Sequence, residues 1–409
     1  MHEVVVVGGG AAGMVAAYTA ATKGNRVILL EKNEKLGKKL YITGKGRCNL
    51  TNNVPVAEFL NNVVNNSKFL YGALNAFSPE DTLTFFENNG CKLKTERGNR
   101  VFPVSDKSSD IIKTLQNALV SSGVDFRLNT EVLSIIARDG KVYGVKTDKG
   151  EIFCDSLIIC TGGVSYPLTG STGDGYKFAK NVGHTIVSPK PSLVGLELKG
   201  DEFLPLQGLS LKNVAVSFIV DGREVYHDFG EMLFTHFGLS GPMVLSASAH
   251  LRDNDFRDVK VSIDLKPALD RETLEKRILS DFAKYINRDL GNALGDLLPQ
   301  KMILPFLTLA GLDVRKKVNV LTKAERERML DALKGFVIPI SGFRPIEEAI
   351  VTSGGVDVKE IYPKTMMSRK IDRLFFAGEM IDVDAYTGGF NLQIAFSTGY
   401  LAGLSASLT

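Results

Sequence analysis

The sequence predicts an α/β protein: a nucleotide-binding domain in two segments, with a long inserted region between them. Three observations predict it. Four valines at residues 4–7 lead straight into Gly8-x-Gly10-x-x-Gly13. A second glycine-rich stretch, around Gly378-Glu379 and Gly388-Gly389, lies near the other end of the chain. Between them, residues 193–334 read first as strands and then as helices.

The first element follows from residues 4–7. Four β-branched side chains in a row suit a strand buried on both faces of a parallel sheet. An alanine-rich helical stretch runs on to about Lys23, and a second strand, residues 26–30, ends at Glu31. This is a βαβ unit with a dinucleotide pattern. Gly8 permits the tight turn, Gly10 lets a diphosphate approach the backbone, and Gly13 lets helix pack on strand. Ala11 and Ala12 open the helix, whose free N–H groups and partial positive charge suit phosphates. Glu31 is placed to accept hydrogen bonds from ribose hydroxyls. An acid there argues against a 2′-phosphate, hence against NADP in this site. The motif alone does not separate FAD from NAD.

Residues 43–52, TGKGRCNLTN, predict a flexible loop, basic and rich in amide donors. Residues 59–89 read as helical, with Ser78-Pro79-Glu80-Asp81 as a helix start. Residues 106–122 predict an amphipathic helix, and 124–160 predict strands with turns at Asp139-Gly140 and Lys149-Gly150. The last strand, 156–160, runs into Thr161-Gly162-Gly163. A loop at 164–176 contains Gly173 and Asp174, again a pattern for backbone set against a ligand. A short helix then ends near Gly183-His184, where the histidine reads as structural.

Pro189 and Pro191 mark a boundary. Residues 193–265 predict strands, with a hairpin at Asp221-Gly222. Residues 270–334 predict helices. One apolar face there carries Leu274, Ile278, Phe282, Tyr285 and Ile286, and Thr322-x-x-Glu325 is a capping box. Glycine-rich β character returns near 346. The expected domains are a first nucleotide-binding segment at 1–190, a β-rich insert at 191–268 and a helical subdomain at 269–335. A return strand at 336–345 and the second nucleotide-binding segment at 346–409 complete the chain.

Composition sets limits. Apolar residues make up 44% and charged residues 23%, ordinary for a globular protein. A net charge of +3, with no basic, aromatic-rich stripe, argues against nucleic acid as partner. Cys48, Cys91, Cys154 and Cys160 are scattered with no CxxC pair, which argues against a metal site or disulfide scaffold and suits a reducing compartment. Cys154 and Cys160 read as small buried hydrophobes; Cys48 differs in having polar and basic neighbours. The apolar N-terminus lacks the basic region of a signal peptide, and no apolar stretch of membrane-spanning length follows. The expected location is the cytoplasm, and the expected partner a small-molecule substrate.

Residues 374–377 predict a strand ending in Gly378-Glu379, with Asp382 close behind. Thr387-Gly388-Gly389 opens a helix from about 391 to 404. A strand-end acid with neighbouring N–H groups can hold the ribityl chain and diphosphate of FAD. A helix N-terminus beside a flavin pyrimidine ring favours the reduced state by ~1 kcal/mol.

Four stretches carry a family resemblance: GKKLYITGKGRCNLTN, TGGVSYPLTGSTGDGY, FTHFGLSGP and GEMIDVDAYTGGFNLQIAFSTG. They resemble the BaiN-type bacterial flavoproteins, which include aminoacetone oxidases and 3-dehydro-bile-acid reductases, within the glutathione-reductase-like two-segment FAD fold. The resemblance covers essentially the whole chain. It implies a Rossmann-like FAD-binding domain in two segments, with an inserted β-barrel-like domain and a helical subdomain. It further implies that residues 43–52 lie along a noncovalently bound FAD, with Gly44, Gly46, Arg47, Cys48, Asn49, Thr51 and Asn52 in contact with it. The rest of the cofactor set then comprises Lys32, Lys38, Val132, Thr161, Gly162, Gly163, Gly173 and Asp174 from the first segment. From the second it takes Gly378, Glu379, Asp382, Gly389, Phe390, Asn391 and Leu392. Cys48 is expected as a small residue beside the flavin, since no CxxC supplies a redox partner.

No second complete GxGxxG follows a strand; Gly170-x-x-Gly173-x-Gly175 has different spacing. NAD(P)H, as a possible co-substrate, is therefore expected to dock over the flavin or in the insert. His236, in LFTHFGLSGP, is the candidate proton donor after hydride delivery, with backbone capping as the plain alternative. Tyr386 and Tyr166 are further candidates, with packing on the cofactor as their plain alternative. The expected activity is an FAD-dependent reductase of an activated C=C bond using NAD(P)H. A flavin oxidase of a small amine is the alternative, and an RNA-modifying or non-redox flavoprotein the reading from another class.

Overall fold

Val4, Val5 and Val6 are fully buried in a five-stranded sheet of the computed structural model, which describes residues 2–408. Its strands are β1 (Glu3–Val7), β2 (Arg26–Leu30), β3 (Asp125–Arg127), β4 (Ser156–Ile159) and β5 (Leu374–Phe376). Their order is β5-β4-β1-β2-β3, and every pairing is parallel. Val5 stands opposite Leu157 on one side and Ile28 on the other, and Ile158 opposite Phe375. Burial on both faces explains the unbroken valine run, each side chain contributing roughly 1.5–3 kcal/mol. β5 comes from the C-terminal segment and extends the sheet that the N-terminal segment begins.

Four helices matter for the site: α1 (Ala11–Thr22), α2 (Lys38–Ile42), α3 (Asp174–Asn181) and α4 (Phe390–Leu408). α1 carries no charge and packs along α4. The approach is so close that a Cβ on Gly399 would stand 2.3 Å from the Ala12 carbonyl oxygen, and one on Gly403 2.3 Å from that of Ala16. Small residues on both helices are therefore a packing requirement. Val132–Arg138, Lys141–Thr147 and Gly150–Phe153 form an antiparallel sheet. Its first turn has Asp139 at φ 49° and Gly140 at φ 72°, the left-handed pair a tight hairpin needs.

The chain divides into two compact units, Met1–Ser192 with Ile346–Thr409, and Leu193–Pro345. The second unit is built on a closed six-stranded barrel. Its order is Leu196–Leu198, Gly238–Ser240, Arg223–Phe234, Ser210–Val220, Val259–Asp264 and Phe336–Phe343. Val216, Phe218, Val261, Ile263, Ile338 and Ile340 are buried, the alternation expected of a filled barrel. Helices Arg271–Lys284, Leu290–Ala293, Gln300–Leu309 and Lys323–Lys334 precede the closing strand. The α/β class with a barrel-like insert and a helical part is thus the observed architecture.

Local signals held where they were strong. Ser78 and Asp81 form a reciprocal capping box, as do Thr322 and Glu325. Three readings need correction. Residues 59–89 are not continuous helix: Val63–Asn65 is a strand paired with Asp384–Ala385, a partner more than 300 positions away. Residues 193–265 include a helix, Pro242–Leu251, which starts with proline at its first position. Ile286 is exposed and lies beyond the C-cap at Tyr285, so it does not share the buried face of Leu274, Ile278 and Phe282.

Candidate functional site

The site begins where β1 stops. Gly8 takes φ 102°, and its N–H donates to the Leu30 carbonyl at 2.8 Å. A Cβ there would meet the Cys160 carbonyl oxygen at 2.5 Å, and one on Gly13 would meet the Gly8 carbonyl oxygen at 1.8 Å. Gly10 is different: a Cβ there would meet nothing within 4 Å. It caps α1 without a side chain, and the first turn of α1 holds no acid. The opening N–H groups of this helix have no partner within the helix.

Gly8, Gly9, Gly10, Ala11 and Ala12 form one wall of a cleft lying within the two-segment unit. Glu31, 9% exposed, anchors it. Its carboxylate accepts from the Gly9 N–H at 2.7 Å, the Asn33 N–H at 2.8 Å and the Asn33 side-chain amide at 2.6 Å. Lys32 bonds Asp174, the first residue of α3, at 2.6 Å and also Thr172 at 2.6 Å. Burial pushes the Asp174 carboxyl up, but Lys32 and Thr172 outweigh it and hold it below the usual carboxylate range. Val132, Thr161 and Gly162 line the cleft from the ends of neighbouring strands, and Lys38 lines it from α2. Lys38 Nζ is 3.3 Å from Glu34.

The C-terminal segment supplies the facing wall. Gly378, Glu379, Asn391 and Leu392 line the cleft. Glu379 receives Lys39 Nζ at 2.7 and 2.9 Å, the Thr352 N–H at 2.8 Å and the Ser165 hydroxyl at 3.1 Å. Asn391 clamps the turn before its own helix: its Oδ1 accepts from the Ala385 N–H at 2.9 Å and its Nδ2 donates to the Ala385 carbonyl at 2.7 Å. The N-terminal turns of α1 and α4 both open on this cleft.

Of the residues singled out in the sequence, Gly8, Gly10, Ala11, Ala12, Glu31, Lys32, Lys38, Val132, Thr161, Gly162, Asp174, Gly378, Glu379, Asn391 and Leu392 line the cleft. The other residues expected to hold the cofactor lie outside its lining. Gly13 packs helix on strand, and Gly163 presses on Thr352. Gly173 caps α3. Arg47 is bound by Asp106 and Glu96 at 2.6 and 2.5 Å and stacks 4.2 Å from the Phe102 ring centre. Cys48 is fully buried, and burial pushes its thiol far above the ordinary range. Gly44, Gly46 and Asn49 belong to the same loop; Gly44 and Gly46 both adopt positive φ. Thr51 and Asn52 form a short buried strand whose bonds run to Gln393, Gly98 and Gly388. Gly389 abuts the Thr51 backbone, and Phe390 sits edge-on to Phe59 at 5.0 Å. Asp382 is buried among Asn65 and Asn66, and burial pushes its carboxyl up.

Neither candidate proton donor is in the lining. His236 is exposed, in a turn of the barrel unit beside Phe237. Tyr386 is half-buried, its N–H donating to the Asn62 carbonyl at 2.9 Å. Tyr166 lies near Lys39, 6.0 Å from ring centre to Nζ. Sequence reasoning missed Lys39 and Asn33, which do line the cleft. Lys39 pairs across 340 positions, so no local pattern announced it.

The residues present fit FAD. Gly10 leaves the backbone open to the cleft, α1 offers uncapped N–H groups for a diphosphate, and Glu31 keeps carboxylate lone pairs at the sugar end. Comparison then decides the family. The family model described as HI0933-like protein Rossmann domain matches residues 2–405.

The chain belongs to the HI0933-like family. Full-length relatives accompany that match. A 3-dehydro-bile acid delta(4,6)-reductase of Clostridium scindens is 32% identical, over 100% of this chain and 99% of the relative. A ribosomal RNA dihydrouridine synthase of Escherichia coli is 31% identical, over 97% and 96%. Among solved structures, a flavocytochrome c3 fumarate reductase matches with TM-score 0.51 at 19% identity, over 100% of this chain and 78% of that one. A 3-ketosteroid-delta4-(5alpha)-dehydrogenase of Rhodococcus jostii matches with TM-score 0.52 at 15% identity, over 99% and 97%. Those two share the fold. The HI0933-like protein is an enzyme, an FAD-dependent oxidoreductase. None of its described helices is long and apolar enough to cross a membrane.

Proposed function

We propose that this flavoprotein reduces a carbon–carbon double bond conjugated to a carbonyl, with NAD(P)H as the electron source. The observation that carries the reading is one cleft on which two helix N-termini open, one from each chain segment. Bound FAD would supply hydride transfer, the hydride of NAD(P)H being relayed to one alkene carbon and a proton from solvent completing the other. The chain's own part is to bind and orient. α1 and Gly10 hold the diphosphate, and Glu31 holds the sugar. The N-terminal turn of α4 favours negative charge at its end of the cleft. The name of the Clostridium scindens relative, a 3-dehydro-bile acid delta(4,6)-reductase, supports the substrate chemistry.

Anaerobic titration with NADH and NADPH, followed at the flavin absorbance, is the test. Bleaching by one nicotinamide, then recovery on adding an enone, is the expected result. No bleaching by either sinks the reductase reading, and bleaching by an amine would replace it with the oxidase.

A second reading places the reduced bond in a uracil ring of ribosomal RNA. Two full-length relatives favour it, since the Haemophilus influenzae protein, 30% identical, carries the same name as that of E. coli. Nucleoside mass spectrometry of ribosomal RNA, with and without the gene, separates the two. Loss of a dihydrouridine on deletion would make RNA the substrate.

A further inference from the structure

Gln393 is fully buried one turn into α4, between cleft-lining residues on either side, yet does not itself line the cleft. All four of its hydrogen-bonding positions are used. Its Oε1 accepts from the Thr51 hydroxyl at 2.6 Å and the Thr82 hydroxyl at 2.8 Å. Its Nε2 donates to the Phe77 carbonyl at 3.2 Å and the Ser397 hydroxyl at 3.0 Å. Ser397 in turn donates to the same Phe77 carbonyl at 2.6 Å. A fully satisfied amide has nothing left to offer a ligand. It can only hold other things in place.

What it holds is specific. Leu392, Ile394 and Ala395 flank it in sequence and line the cleft. Thr51 belongs to the strand that ends the 43–52 loop, and Thr82 to the helix Pro79–Asn88. The same join is reinforced one turn earlier. Asn52 Nδ2 donates to the Gly388 carbonyl at 3.0 Å, and a Cβ on Gly389 would stand 2.3 Å from the Thr51 carbonyl oxygen. The first turn of α4 is therefore locked to the Thr51–Asn52 strand in both distance and register. A buried amide of this kind has few alternative arrangements, because any shift leaves a polar group unpaired.

We propose that Gln393 is a positioning residue that sets the redox potential of the bound flavin. It does so by fixing where the N-terminus of α4 ends relative to the cleft. The inference rests on the reading that this helix end faces the flavin ring. The helix dipole favours the negative charge of the reduced ring, and its effect fades within the first turn. A small displacement of the helix end therefore changes the balance between oxidised and reduced flavin.

The test is dye-equilibrated measurement of the flavin midpoint potential in the holoenzyme, which needs no substrate. Gln393→Met keeps the side-chain length and removes all four bonds. It should retain FAD and lower the reduced-to-oxidised ratio at a given potential by about threefold, which is about 14 mV for a two-electron couple. Thr51→Val cuts only the strand-to-helix bond and should shift the ratio in the same direction by less. Thr82→Val lowers stability through the same amide, leaves the strand-to-helix bond, and should leave the potential unchanged. If Gln393→Met loses its flavin, the two threonine variants decide. A shift in Thr51→Val that exceeds the shift in Thr82→Val supports the proposal. Equal shifts, or an unmoved Thr51→Val, overturn it and leave Gln393 a core residue. Failure of the wild-type enzyme to reduce an enone would sink the substrate reading alone and leave this measurement standing.

Discussion

Two glycine-rich segments in the first fifty residues do different work. Residues 8–13 present backbone to the cleft: Gly10 faces open space, and the N–H groups of the first turn of α1 are unspent. Residues 43–52 are tied to protein on nearly every side. Arg47 is gripped by Glu96 and Asp106, Cys48 is buried, and Thr51 and Asn52 bond to Gln393 and Gly388. Only Thr43 of that loop reaches the cleft lining. The lesson is that glycine serves two ends. In one segment it clears space for a ligand, and in the other it lets a chain turn tightly so that its side chains can brace a wall.

Substitutions can break that contrast. The largest effect is expected at Gly13, where an added methyl carbon would lie 1.8 Å from the Gly8 carbonyl oxygen. Gly13→Ala should lose more than about 3 kcal/mol of stability and release FAD, seen as colourless protein after gel filtration and a lowered melting temperature. Glu31→Gln comes next. It keeps the shape but removes the charge from three accepted hydrogen bonds, so FAD affinity by fluorescence titration should fall by roughly tenfold.

A pH series sharpens the comparison. The carboxyl of Asp174 is depressed in the folded state, so its pairing with Lys32 stabilises fully above the ordinary aspartate range, near pH 4, and is lost as pH falls through the folded value. Melting temperature should decline on the acid side in the wild type, and Asp174→Asn should flatten part of that decline. An identical acid limb in the variant would remove the Lys32–Asp174 tie from the account.

The smallest effects belong to the braced loop. Arg47→Ala should leave FAD affinity within about twofold, because the side chain is engaged by half-exposed carboxylates outside the cleft lining. Cys48 should resist alkylation at pH 8 in the folded enzyme and react only on unfolding, since burial keeps it a thiol. A large loss of FAD in Arg47→Ala, or rapid labelling of Cys48, would show that loop to touch the cofactor directly.

Much of this was legible from sequence because it is local. A valine run, a glycine turn, a helix and an acid follow one another within thirty-one residues, and each imposes its geometry on the next. The helix start at Ser78 and the capping box at Thr322 are likewise facts of four consecutive residues. The places where reading stopped share the opposite property. Val63–Asn65 became a strand because Asp384–Ala385 offered it a ladder. Helix Pro242–Leu251 lies in a stretch whose other segments are strands, and it buries Met243, Val244 and Ala247 among them.

By itself the chain order determined that a tight glycine turn would form at residue 8 and that both ends of the polypeptide would serve one α/β domain. Only the folded molecule decided which charged groups remain available. Lys39 meets Glu379, and Thr51 meets Gln393, across 340 and 342 positions. Pairings at that separation depend on how the sheet brings β5 beside β4 and how α4 lies on α1. A hydrogen bond needs atoms within about 3 Å, and spacing along a chain does not specify distances in space.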